Sequence, residues 1–232
     1  MTNNLLRIKF QQRLNKLATF DYDNIECWQI SEAFNKAQRE WFRRQVHGLN
    51  SKKEGSEQSI ALIDDLQRFI TVDVLNGENI DLYFKTDIIP ANYSYFIKIS
   101  AFAGKDSCSK RAMTIYLAEE ANSDVLISDP FKGPSFEWGE SYATMDTNRF
   151  KIYTNGDFHV ESSTLSYYRK PLDVTFNNCI NPATNGTSID QECEFKDDVV
   201  ELIIDEAVAI IAGDIESFNQ YQRASQNAQK SN

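Results

Sequence analysis

The order of apolar and polar positions divides this chain into a helical beginning, a strand-rich middle and a helical end. The periodicity predicts helices at residues 5–17, 24–46, 57–69 and 199–212. Asp23 has the residue type of an N-cap for the second of these helices, and Gly48 the type that ends it. The last helix is almost wholly apolar and passes through Gly213 into a polar segment, so it is typical of a core or of a subunit contact.

Between the helices, runs rich in aromatic and β-branched residues predict strands. The expected strands are residues 71–75, 80–84, 93–102, 112–118, 149–153, 158–161, 165–168 and 172–176. Asn76-Gly77 and Asn155-Gly156 predict tight hairpin turns between the strands that they join. Residues 128–139 contain Pro and Gly and predict a long loop.

These elements predict an α+β fold in which N-terminal helices and a C-terminal helix frame a central antiparallel β-rich region. An extended C-terminal arm follows the last helix. The expected division is an N-terminal helical region (1–70), a β-rich domain (71–178), a loop (179–198), a C-terminal helix that packs on the N-terminal helices (199–213) and a polar arm (214–232).

The helix predicted at residues 24–46 has two apolar faces. One face has four apolar residues at helical spacing: Ile30, Phe34, Ala37 and Trp41. Trp28, Phe42 and Val46 point to roughly the opposite side. Two faces indicate either a helix enclosed within one domain or a helix whose second face contacts another domain or subunit.

The polar arm has a thin apolar stripe at Ile215, Phe218 and Tyr221 before it becomes wholly polar. This pattern is typical of a disordered tail, or of an arm that becomes ordered against a partner. We therefore predict a subunit interface that uses the second face of the long helix and the arm. Its expected residues are Trp28, Phe42, Val46, Ile215, Phe218 and Tyr221.

Charge limits the classes of partner. The 232 residues have a formal net charge of -10, which argues against general affinity for nucleic acid because phosphate binding needs clustered Lys and Arg. An acidic surface serves solubility, or it lines a passage through which DNA slides without sticking. Along the last helix, Glu194, Asp198, Glu201 and Asp205 form an acidic stripe, which is a solvated face or one that meets a basic neighbour or a lumen.

The sequence offers little catalytic chemistry. His47 and His159 are the two histidines, and no HExxH, P-loop, GxGxxG or GxSxG motif occurs. We expect no enzymatic activity, no cofactor and no metal. Cys179 and Cys193 bracket a polar loop and could pair in an oxidising setting, but free thiols are the default expectation for a protein made in a reducing cytoplasm. We expect neither a secretion signal nor a membrane span, since no apolar stretch approaches the necessary length.

Several stretches resemble virion proteins of crAss-like gut phages. They are residues 27–41 (CWQISEAFNKAQREW), 150–153 (FKIY), 167–171 (YYRKP) and the closing segment from 206–208 (EAV) to 221–223 (YQR). Together they span most of the chain, from about residue 24 to its end. The family that they resemble consists of ring-forming proteins at the head-to-tail junction and tail of short-tailed phages.

The resemblance implies a structural protein that forms a ring, usually of twelvefold symmetry, below the portal. Its implied partners are like subunits, the portal and adjacent tail rings, and DNA would pass through the channel without sequence-specific binding. The implied location is the virion, after assembly in the cytoplasm of the host bacterium. Two alternatives stay open: a decoration or receptor-binding module whose aromatic residues Phe131, Phe136 and Trp138 stack on sugar rings, and a tail-associated hydrolase.

Overall fold

A computed structural model describes residues 1–17, 25–48, 64–105, 109–182 and 186–214, together with residues 222, 225 and 226. It confirms the α+β class. The chain divides into two compact units. The helical unit comprises Met1–Arg68 and Pro171–Asn232, and the β unit comprises Phe69–Lys170. Residues 171–178, which the sequence analysis placed in the β-rich domain, thus belong to the helical unit.

The described part of the helical unit contains three long helices: α1 (Asn3–Leu17), α2 (Cys27–His47) and α4 (Asp197–Asp214). Helix α1 packs on α4 through Leu6, Phe10 and Leu14, which recur every four residues and are fully buried. Helix α4 is buried on most sides because α2 also packs on it. No described helix is both long and apolar enough to cross a membrane.

Helix α2 begins later than its predicted cap. Glu26 is its N-cap, and a reciprocal capping box with Gln29 satisfies two backbone N–H groups of the first turn. The prediction of an N-cap at Asp23 was therefore wrong, and Asp23 itself lies outside the described residues. The predicted end is confirmed: Gly48 adopts the left-handed conformation (φ 69°) that favours glycine after a helix.

Two other expectations fall partly or wholly outside the described residues. Of the helix predicted at 57–69, residues 64–66 are helical and lead into the 3-10 turn Gln67–Phe69, whereas 57–63 are not described. The C-terminal arm is described only at residues 222, 225 and 226. The loop expected at 179–198 contains a short hairpin of β9 (Ile180–Asn181) and β10 (Gly186–Thr187).

The β unit is one curled eight-stranded sheet in the order β1-β8-β4-β5-β6-β7-β3-β2. Neighbouring strands are antiparallel except β5 and β6, which are parallel. The strands are β1 (Ile70–Leu75), β2 (Gly77–Ile80), β3 (Tyr83–Thr86), β4 (Tyr93–Gly104), β5 (Arg111–Leu117), β6 (Glu140–Asp146), β7 (Arg149–Tyr153) and β8 (His159–Arg169). The connection from β5 to β6 carries a 3-10 turn (Glu120–Asn122) and the short helix α3 (Ser123–Ser128).

The sheet curls around an apolar core, and a side chain links its β2 edge to β8. Asn79 of β2 donates from Nδ2 to the carbonyl oxygen of Val160 at 2.8 Å and accepts the N–H of Val160 at Oδ1 at 2.9 Å. The enclosed side chains include Phe84, Ile99, Met113, Phe136, Phe150, Ile152, Phe158, Leu165 and Tyr167. The side chain of Asn79 thus replaces a strand partner at this edge.

Both predicted hairpins were wrong, each for an identifiable reason. Gly77 lies in β2, not in a turn: a Cβ there would lie 2.1 Å from the carbonyl oxygen of Lys85 on β3, so the glycine permits close strand approach. Asn155 and Gly156 do adopt positive φ angles of 53° and 72°. The strands on either side of them nevertheless do not pair, because β7 pairs with β6 and β3 while β8 pairs with β1 and β4.

The strand predicted at 172–176 is also absent as a strand. Thr175 forms an isolated bridge with Gln191, and the backbone before it bonds to side chains of α2. These bonds determine how the second face of α2 is used.

Candidate subunit-contact surfaces

The second face of α2 is covered by the returning chain of its own unit. The side chain of Asn35 accepts the N–H of Val174 at 2.7 Å and donates to the carbonyl oxygen of Val174 at 3.0 Å. Gln38 donates to the carbonyl oxygen of Leu172 at 3.0 Å. The side-chain amide of Asn35 thus bonds to both backbone groups of Val174, and these hydrogen bonds hold residues 172–174 against α2. The middle of the second face is thus covered within the same unit, whereas Trp28 at its start is only half-buried.

The six predicted interface residues differ in burial, and three of them are not described. Phe42 is only 2% exposed and meets Phe195 at 6.4 Å between ring centroids, so it belongs to the core of the helical unit. Its predicted role in subunit contact does not fit this burial. Trp28 and Val46 are half-buried. The three arm residues, Ile215, Phe218 and Tyr221, lie outside the described residues.

Trp28 stands between two grooves of the helical unit, and its indole N–H donates to the carboxylate of Glu26. One groove, of about 550 Å³, runs along α2 past Arg39 and Asp173. The other, of about 280 Å³, lies between α2 and the end of α4 and reaches Asp214. Trp28 therefore remains a candidate contact residue.

Cysteine pairing differs from the expectation. Cys27, the first residue of α2, forms a disulfide with Cys179, and their Cα atoms are 5.9 Å apart. Cys193 is a buried free thiol whose hydrogen points to Oε1 of Gln38 at 3.4 Å. Burial raises the pKa of Cys193 to about 11. The expectation of free thiols was thus wrong for Cys27 and Cys179, and a pair of Cys179 with Cys193 is excluded in this structure.

The acidic stripe of α4 meets basic residues of the same chain. Glu201 is ion-paired with both Lys9 and Arg13 of α1, and Asp205 lies 3.1 Å from Arg13. At the start of α4, the carboxylate of Asp197 accepts a hydrogen bond from the N-terminal ammonium at 2.6 Å, which lowers the pKa of Asp197. The basic neighbour foreseen as one alternative is therefore intramolecular.

On the β unit, the connection between β5 and β6 displays large apolar side chains. Within residues 118–139, which we call the β5–β6 insertion, Val125 is 69% exposed, Phe131 94% and Trp138 79%. Phe136 is instead buried and packs on Phe158 at 6.1 Å. The three aromatic residues that the sequence groups together are therefore separated: one fixes the insertion to the core, and two face outward.

Hydrogen bonds fix the backbone of the β5–β6 insertion. The guanidinium of Arg111 donates to the carbonyl oxygens of Phe136 at 3.0 Å and Glu137 at 2.7 Å, and it lies over the ring of Phe136. The carboxylate of Asp129 accepts the N–H of Phe131 at 2.8 Å. The N–H of Gly133 donates to the carbonyl oxygen of Asp129 at 2.8 Å. The exposed rings are thus presented on a locally bonded backbone.

A row of tyrosines supports the insertion from the outer face of the sheet. Tyr142 stacks on Tyr153 with ring centroids 4.6 Å apart, and its hydroxyl donates to the carbonyl oxygen of Ser123 at 2.9 Å. Burial raises the pKa of Tyr142. A cavity of about 370 Å³ lies beside this row, lined by Tyr116, Leu126, Phe131, Lys132, Glu140 and Tyr142.

Helix α1 also exposes large apolar residues. Leu5 is 43% exposed and Ile8 51%, one turn apart on the side away from the buried residues. Arg7 is exposed between them in sequence and has no ion pair among the described residues. Residues two apart on a helix do not face each other, so Arg7 lies on a different side of α1 from Leu5. We call Leu5 and Ile8 the α1 patch. Sequence periodicity could have found this patch, because Leu5 and Ile8 lie off the stripe formed by Leu6, Phe10 and Leu14.

Catalytic groupings are not evident in the part of the chain that the structure describes. It contains no group of three or more His, Cys, Asp or Glu side chains that could hold a metal ion. Nε2 of His159 lies 3.9 Å from the carboxylate of Glu161, both exposed side chains at the start of β8, and His47 is at the end of α2. No family model matches this chain, and no curated protein matches it significantly.

Proposed function

We propose that this protein is a structural virion component that forms a ring of the head-to-tail connector or tail of a crAss-like phage. Copies of the chain enclose the DNA channel and join neighbouring rings, and the chain is not an enzyme. The observation that carries this proposal is the display of large apolar side chains on both units, at Leu5 and Ile8 and at Phe131 and Trp138. Exposed side chains of this size gain free energy when a partner removes them from water.

Charge supports a channel role over DNA binding. The chain has 34 acidic and 24 basic residues, and several basic side chains are already ion-paired with carboxylates of the same unit. An acidic wall repels the phosphate backbone and lets DNA pass without capture. The proposed partners are therefore like subunits, twelve by the family resemblance, with the portal and adjacent ring proteins above and below. The proposed location is the virion, after assembly in the host cytoplasm.

The mass of the purified particle tests this proposal. We expect native mass spectrometry to give a closed oligomer, a fixed multiple of the 26.6 kDa subunit, for the chain alone or with its portal protein. A chain that stays monomeric under both conditions would contradict the ring. Lysozyme-type or glycosidase activity that disappears on substitution of one carboxylate, with the fold retained, would contradict the non-enzymatic assignment.

A second candidate function rests on the cavity beside Phe131. Aromatic rings next to a carboxylate and an ammonium group are the elements that bind pyranose rings, and Tyr116, Phe131, Glu140 and Lys132 supply them. A receptor-binding or decoration protein would use this site on glycans. A glycan array separates the two functions, since a ring protein is expected to bind none of the sugars and a receptor-binding protein is expected to bind a defined set.

A further inference from the structure

The disulfide of the helical unit lies at the wall of a groove. Cys179, one of its two cysteines, lines the groove of about 550 Å³ that runs along α2. Trp28 and Phe176 form apolar parts of the wall, and Lys36 contributes an ammonium group. The volume is within the range of about 300–1,000 Å³ that is usual for sites of small molecules. The groove therefore gives a small molecule a path to Cys179.

The two cysteines of this bond have different surroundings. Cys179 is 4% exposed, whereas Cys27 is half-buried and is the first residue of α2. The first N–H groups of a helix have no helical partner, and with the helix dipole they stabilise an anion at that end. The neighbouring carboxylate of Glu26 is already bonded to the N–H of Gln29 and to the indole of Trp28. A thiolate is therefore better stabilised at Cys27 than at Cys179, where burial disfavours charge.

This difference determines the direction of thiol–disulfide exchange. An attacking thiolate bonds to one sulfur of a disulfide and displaces the other, and the sulfur that is better stabilised as a thiolate leaves faster. The groove leads to Cys179, and Cys27 is the better leaving group. Access and leaving-group stability thus favour the same reaction, which is attack on Cys179.

We propose that the Cys27–Cys179 disulfide is a site of exchange with small thiols, which enter the groove and attack Sγ of Cys179. A bond forms between the sulfur of the small thiol and Sγ of Cys179. The bond between the two cysteines breaks, and its electron pair stays on Sγ of Cys27 as a thiolate. A second small thiolate then attacks the sulfur of the first, and Cys179 leaves as a thiolate that takes up a proton. Two small thiols are thereby oxidised to one disulfide, and the protein disulfide is reduced to two thiols.

This site is independent of the proposed ring function. It lies wholly within the helical unit, and its chemistry needs one copy of the chain and a thiol. The tests below therefore use the full-length chain in its oxidised form, whether or not that chain is assembled.

The position of the first adduct tests the direction of attack. The oxidised chain is incubated with reduced glutathione at pH 8, quenched with acid at intervals and mapped by mass spectrometry. We expect the early mixed disulfide to carry glutathione on Cys179 and a free thiol at Cys27. Cys193 is the internal control and should carry no glutathione, because its thiol is buried and its pKa is raised to about 11. Glutathione found first on Cys27 would overturn the proposal.

The rate of reduction tests whether the groove admits a thiol to the folded chain. We expect glutathione to reduce the folded chain at a rate within about a hundredfold of that in urea, because attack through the groove needs no unfolding. A larger difference would overturn the proposal. So would reduction of the folded chain by a protein dithiol but not by glutathione, because the disulfide would then be a site for a protein partner.

A charge variant tests the path of approach. Lys36 lines the groove, so Lys36→Glu should repel the attacking thiolate and lower the second-order rate constant with glutathione by at least about threefold. Arg43→Glu is the matched control, because Arg43 is an exposed residue of the same helix that does not line the groove. The two variants change the net charge by the same amount. Equal rate constants for them would overturn the approach through the groove.

Discussion

Replacing Cys27 with serine removes a covalent link between the start of α2 and the segment that returns along it. The disulfide joins residues separated by 152 positions. A cross-link stabilises a fold mainly by removing conformations from the unfolded chain, and the chain-entropy relation gives about 5 kcal/mol for a loop of this length. Removal of native disulfides generally costs about 2–5 kcal/mol. We therefore expect Cys27→Ser to lower the free energy of unfolding of the helical unit by an amount in that range.

Urea unfolding followed by tryptophan fluorescence measures this change. Trp28 and Trp41 report on the helical unit, whereas Trp138 lies in the β unit, so a Trp138→Phe background restricts the signal to the helical unit. We expect a reducing agent to shift the unfolding midpoint of this background to lower urea concentration. The same agent should leave the Cys27→Ser version unchanged, which makes that variant the internal control.

Two results would contradict a stabilising disulfide between Cys27 and Cys179. One is an unfolding curve of the oxidised chain that coincides with that of the reduced chain. The other is a non-reducing peptide map in which Cys179 is linked to Cys193 or carries a free thiol. Because cytoplasmic thiols are kept reduced, we expect Cys27 and Cys179 to be reduced in a reducing compartment and joined in an oxidising one.

Four further predictions concern other residues. Asn35→Ala should lower the free energy of unfolding, measured in urea, by about 1–3 kcal/mol, because both backbone groups of Val174 lose a buried hydrogen-bond partner. Phe42→Ala should lower the free energy of unfolding by about 3–5 kcal/mol, the range for an aromatic residue removed from a core. A change below about 1 kcal/mol would contradict the placement of Phe42 in the core. At pH 8, alkylation of Cys193 in the folded chain, followed by mass spectrometry, should be at least about a hundredfold slower than in urea, because burial raises its pKa from 9.0 to about 11. The contribution of the neutral thiol to the free energy of unfolding should be complete below pH 9.0 and lost as the pH rises through 11. Alkylation of Cys193 at equal rates with and without urea would contradict its burial. Deletion of residues 214–232 should leave a folded subunit that assembles or docks poorly, and unchanged assembly by electron microscopy would remove the arm's role.

Elements set by local apolar periodicity could be predicted from the sequence. The stripes of α1, α2 and α4 face the core because 3.6-residue periodicity determines which side of a helix is apolar. The strand pairings could not, since pairing depends on contacts distant in sequence. The pair Asn155-Gly156 specifies a left-handed turn, but the N–H groups of Thr154 and Asn155 bond to the carbonyl oxygen of Leu82, so the turn joins the β2–β3 connection instead of closing a hairpin with β8.

The second face of α2 shows why part of the candidate site was misassigned. Asn35 interrupts the apolar face of Trp28, Phe42 and Val46, and it is the residue that binds the returning backbone at Val174. A buried polar residue on an otherwise apolar helix face is the signal that could have indicated an intramolecular partner. Likewise, nothing in the spacing of Phe131 and Phe136 distinguishes the ring that faces solvent from the ring that enters the core.

We propose that copies of this chain form a ring around a DNA channel in a virion. Cryo-electron microscopy of phage particles that contain the chain tests it most directly. We expect a closed ring of copies of this chain at the head-to-tail junction or tail. Density for this chain only as separate copies on the capsid surface or on fibres, or no density for it in the particle, would contradict the claim.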